Sequence, residues 1–225
     1  MTRLRQIPLD LGHRQTLDRQ DFWVSDSNRE AVAWLDKWPE WPAPGLVIWG
    51  PPASGKTHLA HVWRKESHAK EMTAEDIAAV ASGSQHRAVI IDDAEKLIGK
   101  QETEQQLFHL YNGLKETGGH LLLTAAKPPK EWNFVLPDLK SRVLSLPAVG
   151  VGSPDDQLMS VVLVKLFSDR QIFVPQDVIR FIIPRVGRSF LDLRTIVDKI
   201  DDKAMAEKRS VTVPLVRELL QPDLF

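Results

Sequence analysis

The sequence contains no cysteine and a single tyrosine among its 225 residues. The absence of cysteine excludes disulfides, zinc sites built on thiolates and cysteine nucleophiles, and it is consistent with a reducing compartment. No apolar run reaches the length of a membrane span. The first twenty residues are polar and lack the apolar centre of a signal peptide. We therefore expect a soluble, cytoplasmic protein with no membrane partner.

The sequence also lacks an excess of charge of either sign. It carries 29 Lys and Arg against 30 Asp and Glu, for a formal net charge of -1. A domain that binds nucleic acid mainly through phosphate contacts usually has a positive net charge, so we expect no strong direct DNA binding. With 43% hydrophobic and 26% charged residues the composition is that of an ordinary globular protein, which excludes wholesale disorder.

Short apolar runs alternate with amphipathic segments in the first two thirds of the chain. A continuous apolar run of four or so residues is typical of a strand buried on both faces. The alternation predicts an α/β fold, a parallel sheet with helices on both faces. The predicted strands are Leu46–Trp49, Ala88–Ile91, Leu121–Leu123 and, as a fourth, Val143–Leu146.

Only helical patterns follow Pro154, and we predict helices over 155–170, 176–184, 188–206 and 214–220. Ser25 or Asp26 is expected to cap an earlier helix that runs to about Lys37. The sequence therefore divides into an extended arm at 1–20, an α/β base at 21–150 and a small all-helical lobe at 151–225.

A phosphate-binding loop lies directly after the first predicted strand. The run G-P-P-A-S-G-K-T matches G-x-x-x-x-G-K-[ST], and a helix is predicted to follow it. Glycines let backbone N–H groups surround a phosphate, Lys56 reaches the terminal phosphates, and Thr57 binds Mg²⁺. The predicted cofactor-binding residues here are Gly50, Pro51, Pro52, Ala53, Ser54, Gly55, Lys56, Thr57 and His58.

Two carboxylates, Asp92 and Asp93, end the second predicted strand. Ligands of open α/β sheets bind beyond the carboxyl ends of the strands, so a carboxylate there can hold Mg²⁺. The alternative is that both residues cap the next turn. We assign Asp92 to the metal and Asp93 to the attacking water, as a catalytic candidate.

These motifs together resemble the AAA+ nucleotide-binding module and, more narrowly, the family of the bacterial replication initiator DnaA and its short relative Hda. The resemblance spans residues 21 to 220 or so. It implies a P-loop AAA+ base with a helical lid, and ADP or ATP with Mg²⁺ as cofactors. The segments that carry it are Gly50–His58, Val89–Asp93, Leu107–Lys115, Leu122–Thr124, Lys127–Pro129 and Leu136–Arg142.

The sequence as given ends at Phe225, just after the helical lobe, and shows neither flanking domain of DnaA, which favours an Hda-like protein. The resemblance then implies two partners, DnaA and the DNA polymerase sliding clamp (the beta subunit). On DNA, the clamp and the Hda-like protein make DnaA hydrolyse its ATP. An autonomous AAA+ ATPase, such as a loader or remodeller, is the alternative, and a DNA-binding DnaA paralogue is a third reading. Homo-oligomerisation is left open.

Two arginines match functional positions of this family. Arg142 matches the arginine finger, which acts on another protein's nucleotide. Charge alone favours a surface arginine in a salt bridge, and its place within Leu136–Arg142 favours the finger. Arg188 matches the lid arginine that contacts the chain's own nucleotide, and its alternative is pairing with a neighbouring carboxylate. Arg194 competes for that lid role.

Three further features concern the chain's own nucleotide. Ala126 stands where the family usually has an acidic residue, and Asp93 where many such ATPases have Glu, so we expect weak self-hydrolysis and a bound ADP. Thr124 is left as a candidate γ-phosphate sensor. Phe22, Val24 and Asn28 lie where members of the family bind the adenine base, and the alternative is that these residues only pack in the protein.

Both ends of the chain resemble clamp-binding peptides. Gln6–Leu11 is similar to the motif Q-L-x-L-x-L, with Gln6, Ile7, Leu9 and Leu11 as its contact residues. Gln221–Phe225 is similar to Q-L-x-L-F, with Gln221, Leu224 and Phe225 in the matching places and Pro222 departing from it. The alternatives are a flexible tail at the first end and packing on the lid at the second.

Overall fold

A computed structural model describes residues 23–79 and 86–220. The predicted arm, Phe22 and both predicted clamp motifs lie outside these residues. Five strands form one parallel sheet in the order β2-β3-β4-β1-β5. In chain order they are β1 (Gly45–Trp49), β2 (Lys70–Glu71), β3 (Ala88–Ile91), β4 (His120–Ala125) and β5 (Ala148–Gly150). No helix within the described ranges is long and apolar enough to cross a membrane.

Nine α-helices lie in the described part of the chain. Five belong to the region of the sheet: α1 (Arg29–Leu35), α2 (Lys56–Ser67), α3 (Ala74–Ala79), α4 (Gln101–Glu116) and α5 (Pro137–Leu144). Four follow the last strand: α6 (Asp156–Asp169), α7 (Gln176–Ile182), α8 (Phe190–Glu207) and α9 (Val213–Leu220).

The central strands bury both of their faces. In β1, Leu46 and Ile48 pack with α1 and α2, while Val47 packs on the opposite face with residues of α4 and α5. A parallel strand covered by helices on both sides has no solvent face, which is why its sequence is continuously apolar. The predicted α/β fold, with a parallel sheet and helices on both faces, is confirmed.

Helices α6 to α9 bury a core of their own. Its centre includes Leu163, Phe167 and Leu193, each with no more than 1% of its surface exposed. Side-chain oxygens cap two of these helices: Asp155 accepts the Leu158 N–H at α6, and Ser189 accepts the Asp192 N–H at α8. The helical lid is confirmed, while the limits assigned to arm, base and lid stay predictions.

The predicted fourth strand at Val143–Leu146 is wrong. Val143 belongs to α5, and the edge strand β5 follows it at Ala148–Gly150. Leu139, Val143 and Leu146 are buried at helical spacing while Leu144 is 45% exposed, so this apolar run follows a helical period that continues past the end of α5.

One helix begins later than the sequence predicts, and two short elements were not predicted. Helix α1 starts at Arg29, because the Ser25 carbonyl accepts N–H groups in a turn that precedes the helix. The short strand β2 and the helix α3 carry polar residues and were not predicted.

Candidate nucleotide-binding site

The candidate site lies where β1, β3 and β4 end at the carboxyl edge of the sheet. The phosphate loop connects β1 to α2, and the Gly50 N–H donates to the Ala125 carbonyl at the end of β4. Asp92 and Asp93 follow β3, which pairs with β4. The topology therefore brings the loop and the two carboxylates to one edge, as expected for ligand sites of open α/β sheets.

Two glycines of the loop are required by its geometry. Gly55 has a φ of 99°, in the left-handed region, and a Cβ there would lie 2.8 Å from the Phe190 ring. A Cβ on Gly50 would lie 2.2 Å from the Val151 carbonyl oxygen. A side chain at position 50 would displace the backbone at Val151, and one at position 55 would displace Phe190 of the lid. The tight turn of the loop therefore requires glycine at both positions.

The Lys56 side chain lies inside this loop. Its ammonium donates to the carbonyl oxygens of Gly50 and Pro51, both at 2.9 Å. Burial lowers the pKa of Lys56 below its ordinary value, and the nearby carboxylates of Asp93, Asp92 and Glu95 oppose that shift. The structure thus keeps a cation where a P-loop lysine contacts terminal phosphates.

The two predicted Mg²⁺ ligands are brought together. The Thr57 hydroxyl donates to one Asp92 carboxylate oxygen at 2.9 Å. The other Asp92 oxygen accepts from the Thr124 hydroxyl, which itself accepts the Asp93 N–H. Hard oxygen donors of this kind suit Mg²⁺. Thr124 is fully buried and donates to Asp92, and its role as a γ-phosphate sensor stays a prediction.

The Asp93 carboxylate is held by a neighbouring lysine. Asp93 has a φ of 52°, and the Lys96 ammonium lies 2.6 Å from its carboxylate. Side-chain hydrogen bonding to Asp93 raises the pKa of Lys96 above its ordinary value, which keeps this lysine charged. In this arrangement Asp93 faces a cation, and its assignment to the attacking water stays a prediction.

Glu95 is a site residue that the sequence analysis missed. Its carboxylate accepts the Ala126 N–H at 2.7 Å, and its second oxygen is buried without a hydrogen-bond partner among the described residues. The structure therefore places a carboxylate beside Ala126, although position 126 itself carries none. The only available signal was an acidic residue two positions after Asp93.

The donors of the loop fit a bound phosphate group. Ser54 is 4% exposed, and its hydroxyl has no partner within the described ranges. An unpaired buried hydroxyl costs about 1–3 kcal/mol. A phosphate oxygen would accept from it, next to the Lys56 cation and the first turn of α2.

Ser54→Ala is expected to change stability and affinity in opposite directions. Without nucleotide, the free energy of unfolding should stay equal or rise by up to about 1 kcal/mol, because an unpaired hydroxyl is removed. The affinity for ADP should fall about tenfold, the value of one hydrogen bond to a charged acceptor. Urea unfolding and calorimetric titration measure the two quantities.

Ser67→Ala is the matched control, since the Ser67 hydroxyl at the end of α2 donates to the Trp63 carbonyl at 2.7 Å. It should lose stability and keep its ADP affinity. An unchanged ADP affinity in Ser54→Ala would remove Ser54 from the site.

Two of the predicted adenine contacts, Val24 and Asn28, lie within the described residues. Asn28 is buried, but its amide donates to the Trp23 carbonyl and its oxygen accepts the Ser25 N–H. Val24 is 38% exposed. Asn28 thus stabilises its own turn, which is the packing alternative, and adenine contact stays a prediction for Val24 and Asn28. His58, also predicted to bind the cofactor, lies exposed in the first turn of α2.

The lid reaches the phosphate loop through the start of α8. The Phe190 N–H donates to the Ala53 carbonyl at 3.2 Å, and the Phe190 ring covers Gly55. Arg188 pairs with Asp156 at 2.8 Å, the alternative that the sequence left open. Arg194 lies one helical turn after Phe190 and so on the same face of α8. Contact of either arginine with nucleotide stays a prediction.

Arg142 lies exposed on α5. Within residues 23–79 and 86–220 its guanidinium makes no hydrogen bond or ion pair. The surface salt bridge that charge alone allowed is therefore not formed with any described residue. The Arg142 side chain is exposed to solvent. Its helix, α5, is held in the core by Leu139 and Val143.

Two family models match the chain. One, described as the lid domain of Hda, matches residues 156–220, and the other, the ATPase domain of bacterial DnaA, matches residues 80–150. An uncharacterized protein of Haemophilus influenzae is 28% identical in an alignment 228 positions long. The alignment covers 96% of this chain and 98% of that protein.

Solved structures show the same fold. Domain III of the Thermotoga maritima replication initiation protein DnaA superposes with a TM-score of 0.76 at 22% identity, covering 90% of this chain and 94% of that chain. AMPPCP-bound DnaA from Aquifex aeolicus gives a TM-score of 0.69 at 19% identity, covering 82% of this chain and 65% of that chain. The AAA+ fold is thereby shown.

Proposed function

We propose that the chain is a DnaA-related AAA+ protein of the Hda type that regulates the initiation of DNA replication by acting on DnaA, on the support of the two family-model matches and the shared fold. It binds adenine nucleotide, with ADP as the working form and Mg²⁺ at Thr57 and Asp92. It binds the DNA-loaded sliding clamp through its N-terminal motif. With the clamp, it promotes the hydrolysis of ATP held by DnaA.

The observation that carries this proposal is the exposed guanidinium of Arg142, which has no partner in the part of the chain that the structure describes. An arginine finger must leave its own surface and reach the γ-phosphate of a neighbour, where it stabilises charge in the transition state. An arginine held in a salt bridge would first have to break that contact. Arg142 has no such contact with any described residue, while its helix is fixed by buried Leu139 and Val143.

The chain's own site supports slow turnover. Asp93 is paired with Lys96, and Thr124 is engaged by Asp92, so each side chain must give up a contact before it can orient an attacking water or sense a γ-phosphate. A site that binds nucleotide tightly and hydrolyses it slowly retains ADP as a structural ligand. The autonomous ATPase is the competing function, and it requires fast turnover by the chain alone.

Single-turnover hydrolysis tests the proposal. DnaA is loaded with ATP and freed of unbound nucleotide, and the chain is added with ADP and clamp on DNA. We expect rapid conversion to ADP only in the complete mixture, and little when the clamp, its DNA or the chain is omitted. Hydrolysis by the chain alone at a rate typical of enzymes would favour the autonomous ATPase.

The clamp contact is expected to depend on Gln6 and Leu9, which lie outside the described residues. Extended peptides of this type bind through a few side chains that enter pockets. The double change Gln6→Ala and Leu9→Ala should weaken clamp binding about 30-fold or more, as loss of a hot spot of about 2 kcal/mol would. Fluorescence anisotropy with labelled clamp measures the affinity.

Gln15→Ala, on the same arm but outside the motif, is the matched control and should bind as the unaltered chain does. Removal of 221–225 reports separately on the second motif. Equal affinity for the double variant and the unaltered chain would contradict an N-terminal clamp contact.

A further inference from the structure

Glu104 is a fully buried carboxylate on α4, with 0% of its surface exposed. It accepts the N–H of Gly99 at 2.8 Å, the N–H of Val135 at 2.9 and 3.1 Å through its two oxygens, and the N–H of Leu136 at 2.7 Å. Three backbone donors from two separate segments thus converge on one side chain.

Burial of a carboxylate is costly unless hydrogen bonds replace its hydration. Here the donors are backbone N–H groups of irregular segments, which would otherwise be left without partners. Charge-assisted bonds of this kind are roughly twice as strong as neutral ones. Glu104 therefore determines where both segments lie, and an apolar residue in its place would leave all three donors unpaired at once.

The two segments connect different parts of the machinery. Gly99 closely follows the 3₁₀ turn Ala94–Leu97, which begins directly after Asp93. Leu136 directly precedes Pro137, the first residue of α5, and α5 carries Arg142. Glu104 lies 31 and 32 positions from Val135 and Leu136 in sequence. It thus ties the start of the arginine-bearing helix to the turn beside the nucleotide site.

We propose that Glu104 is a positioning residue for Arg142: its carboxylate fixes the N-terminal end of α5 so that the guanidinium presents the correct geometry to DnaA's nucleotide. The inference rests on the proposed function of Arg142. Arg142 lies six residues beyond Leu136, about 9 Å along the helix, so a tilt of about 10° moves its backbone by about 1.5 Å. A misplacement of about 1 Å can cost about 100-fold in rate.

Glu104→Gln tests the positioning role. The amide nitrogen of glutamine is a donor, so at least one of the three N–H groups loses its acceptor. We expect the maximal rate of clamp-dependent hydrolysis by DnaA to fall about tenfold or more. The concentration of DnaA that gives half of the maximal rate should stay within about twofold of the value for the unaltered chain, because docking through the clamp is retained. The affinity for ADP should also stay within about twofold.

Hydrogen exchange gives a readout that does not depend on activity. In the unaltered chain, the Val135 and Leu136 amides should be protected although they lie outside helices and strands. In Glu104→Gln their exchange should accelerate about tenfold or more, the equivalent of one hydrogen bond. Glu102→Gln, an exposed carboxylate two residues earlier on α4, is the matched control and should match the unaltered chain in both assays.

The outcomes separate the positioning role from the function on which it rests. If the unaltered chain fails to activate DnaA, the proposed function is overturned before any variant is compared. If it activates and Arg142→Ala does not, but Glu104→Gln activates fully, the positioning role is overturned and the function stands.

Glu104→Asp, which keeps the charge on a shorter side chain, replaces Glu104→Gln if the latter does not fold. A rate between those of the unaltered chain and Arg142→Ala supports the positioning role, and a full rate overturns it.

Discussion

Arg142→Ala is expected to lower the rate at which the chain makes DnaA hydrolyse ATP by about 1,000-fold or more, the usual effect of removing an arginine finger. The loss arises only in the transition state, because the guanidinium neutralises charge that develops on the transferred phosphoryl group. Binding of ADP by the chain itself should be unchanged. The free energy of unfolding should change by no more than about 0.5 kcal/mol, since Arg142 is exposed.

Lys140→Ala is the control for charge at this surface, because Lys140 is also exposed on α5. It should retain most of the stimulation. Arg142→Lys should recover only part of it, since an ammonium cannot offer the two parallel donors of a guanidinium. The assay is single-turnover hydrolysis by DnaA with clamp on DNA. Stimulation by Arg142→Ala within a few-fold of the unaltered chain would contradict the finger.

Lys56→Ala is expected to reduce the affinity for ADP about 100-fold or more. Two charge-assisted hydrogen bonds to phosphate, each of about 1.5–3 kcal/mol, are lost with the ammonium. A ligand that binds only the folded state stabilises it by mass action, so the rise in melting temperature on adding ADP should disappear. The same variant should fail to activate DnaA if ADP is required to hold the lid on the loop.

The measurement is the melting temperature with and without ADP, and the value without ADP reports on folding. Lys65→Ala removes an exposed lysine from the same helix, α2, and should keep the full ADP-induced shift. A shift in Lys56→Ala equal to that of Lys65→Ala would contradict the assignment of the phosphate loop.

Much of the base was predictable because its signals are local. The strand Ala88–Ile91 was predicted with its observed limits, and β1 with all but its first residue, since strands buried on both faces are continuously apolar. The phosphate loop was predicted because its motif combines glycine, lysine and threonine at fixed spacing between a strand and a helix.

What was not predictable depends on contacts between distant segments. A run such as Val143–Leu146 has too few residues to show its period, and the helical state of its first two residues depends on packing of α5 into the core. The partner of Glu95 and two of the three partners of Glu104 are backbone groups 31 or 32 positions away, and nothing in the neighbouring sequence points to them. The pairing of Arg188 with Asp156 likewise appears only in three dimensions.

The central claim is that hydrolysis takes place on DnaA and not on this chain. The most direct measurement loads radiolabelled ATP on one protein at a time and follows its conversion to ADP in the complete mixture with clamp on DNA. The proposed mechanism predicts fast conversion of label carried by DnaA, abolished by Arg142→Ala, and slow conversion of label carried by the chain. Fast conversion only of the label carried by the chain would contradict it.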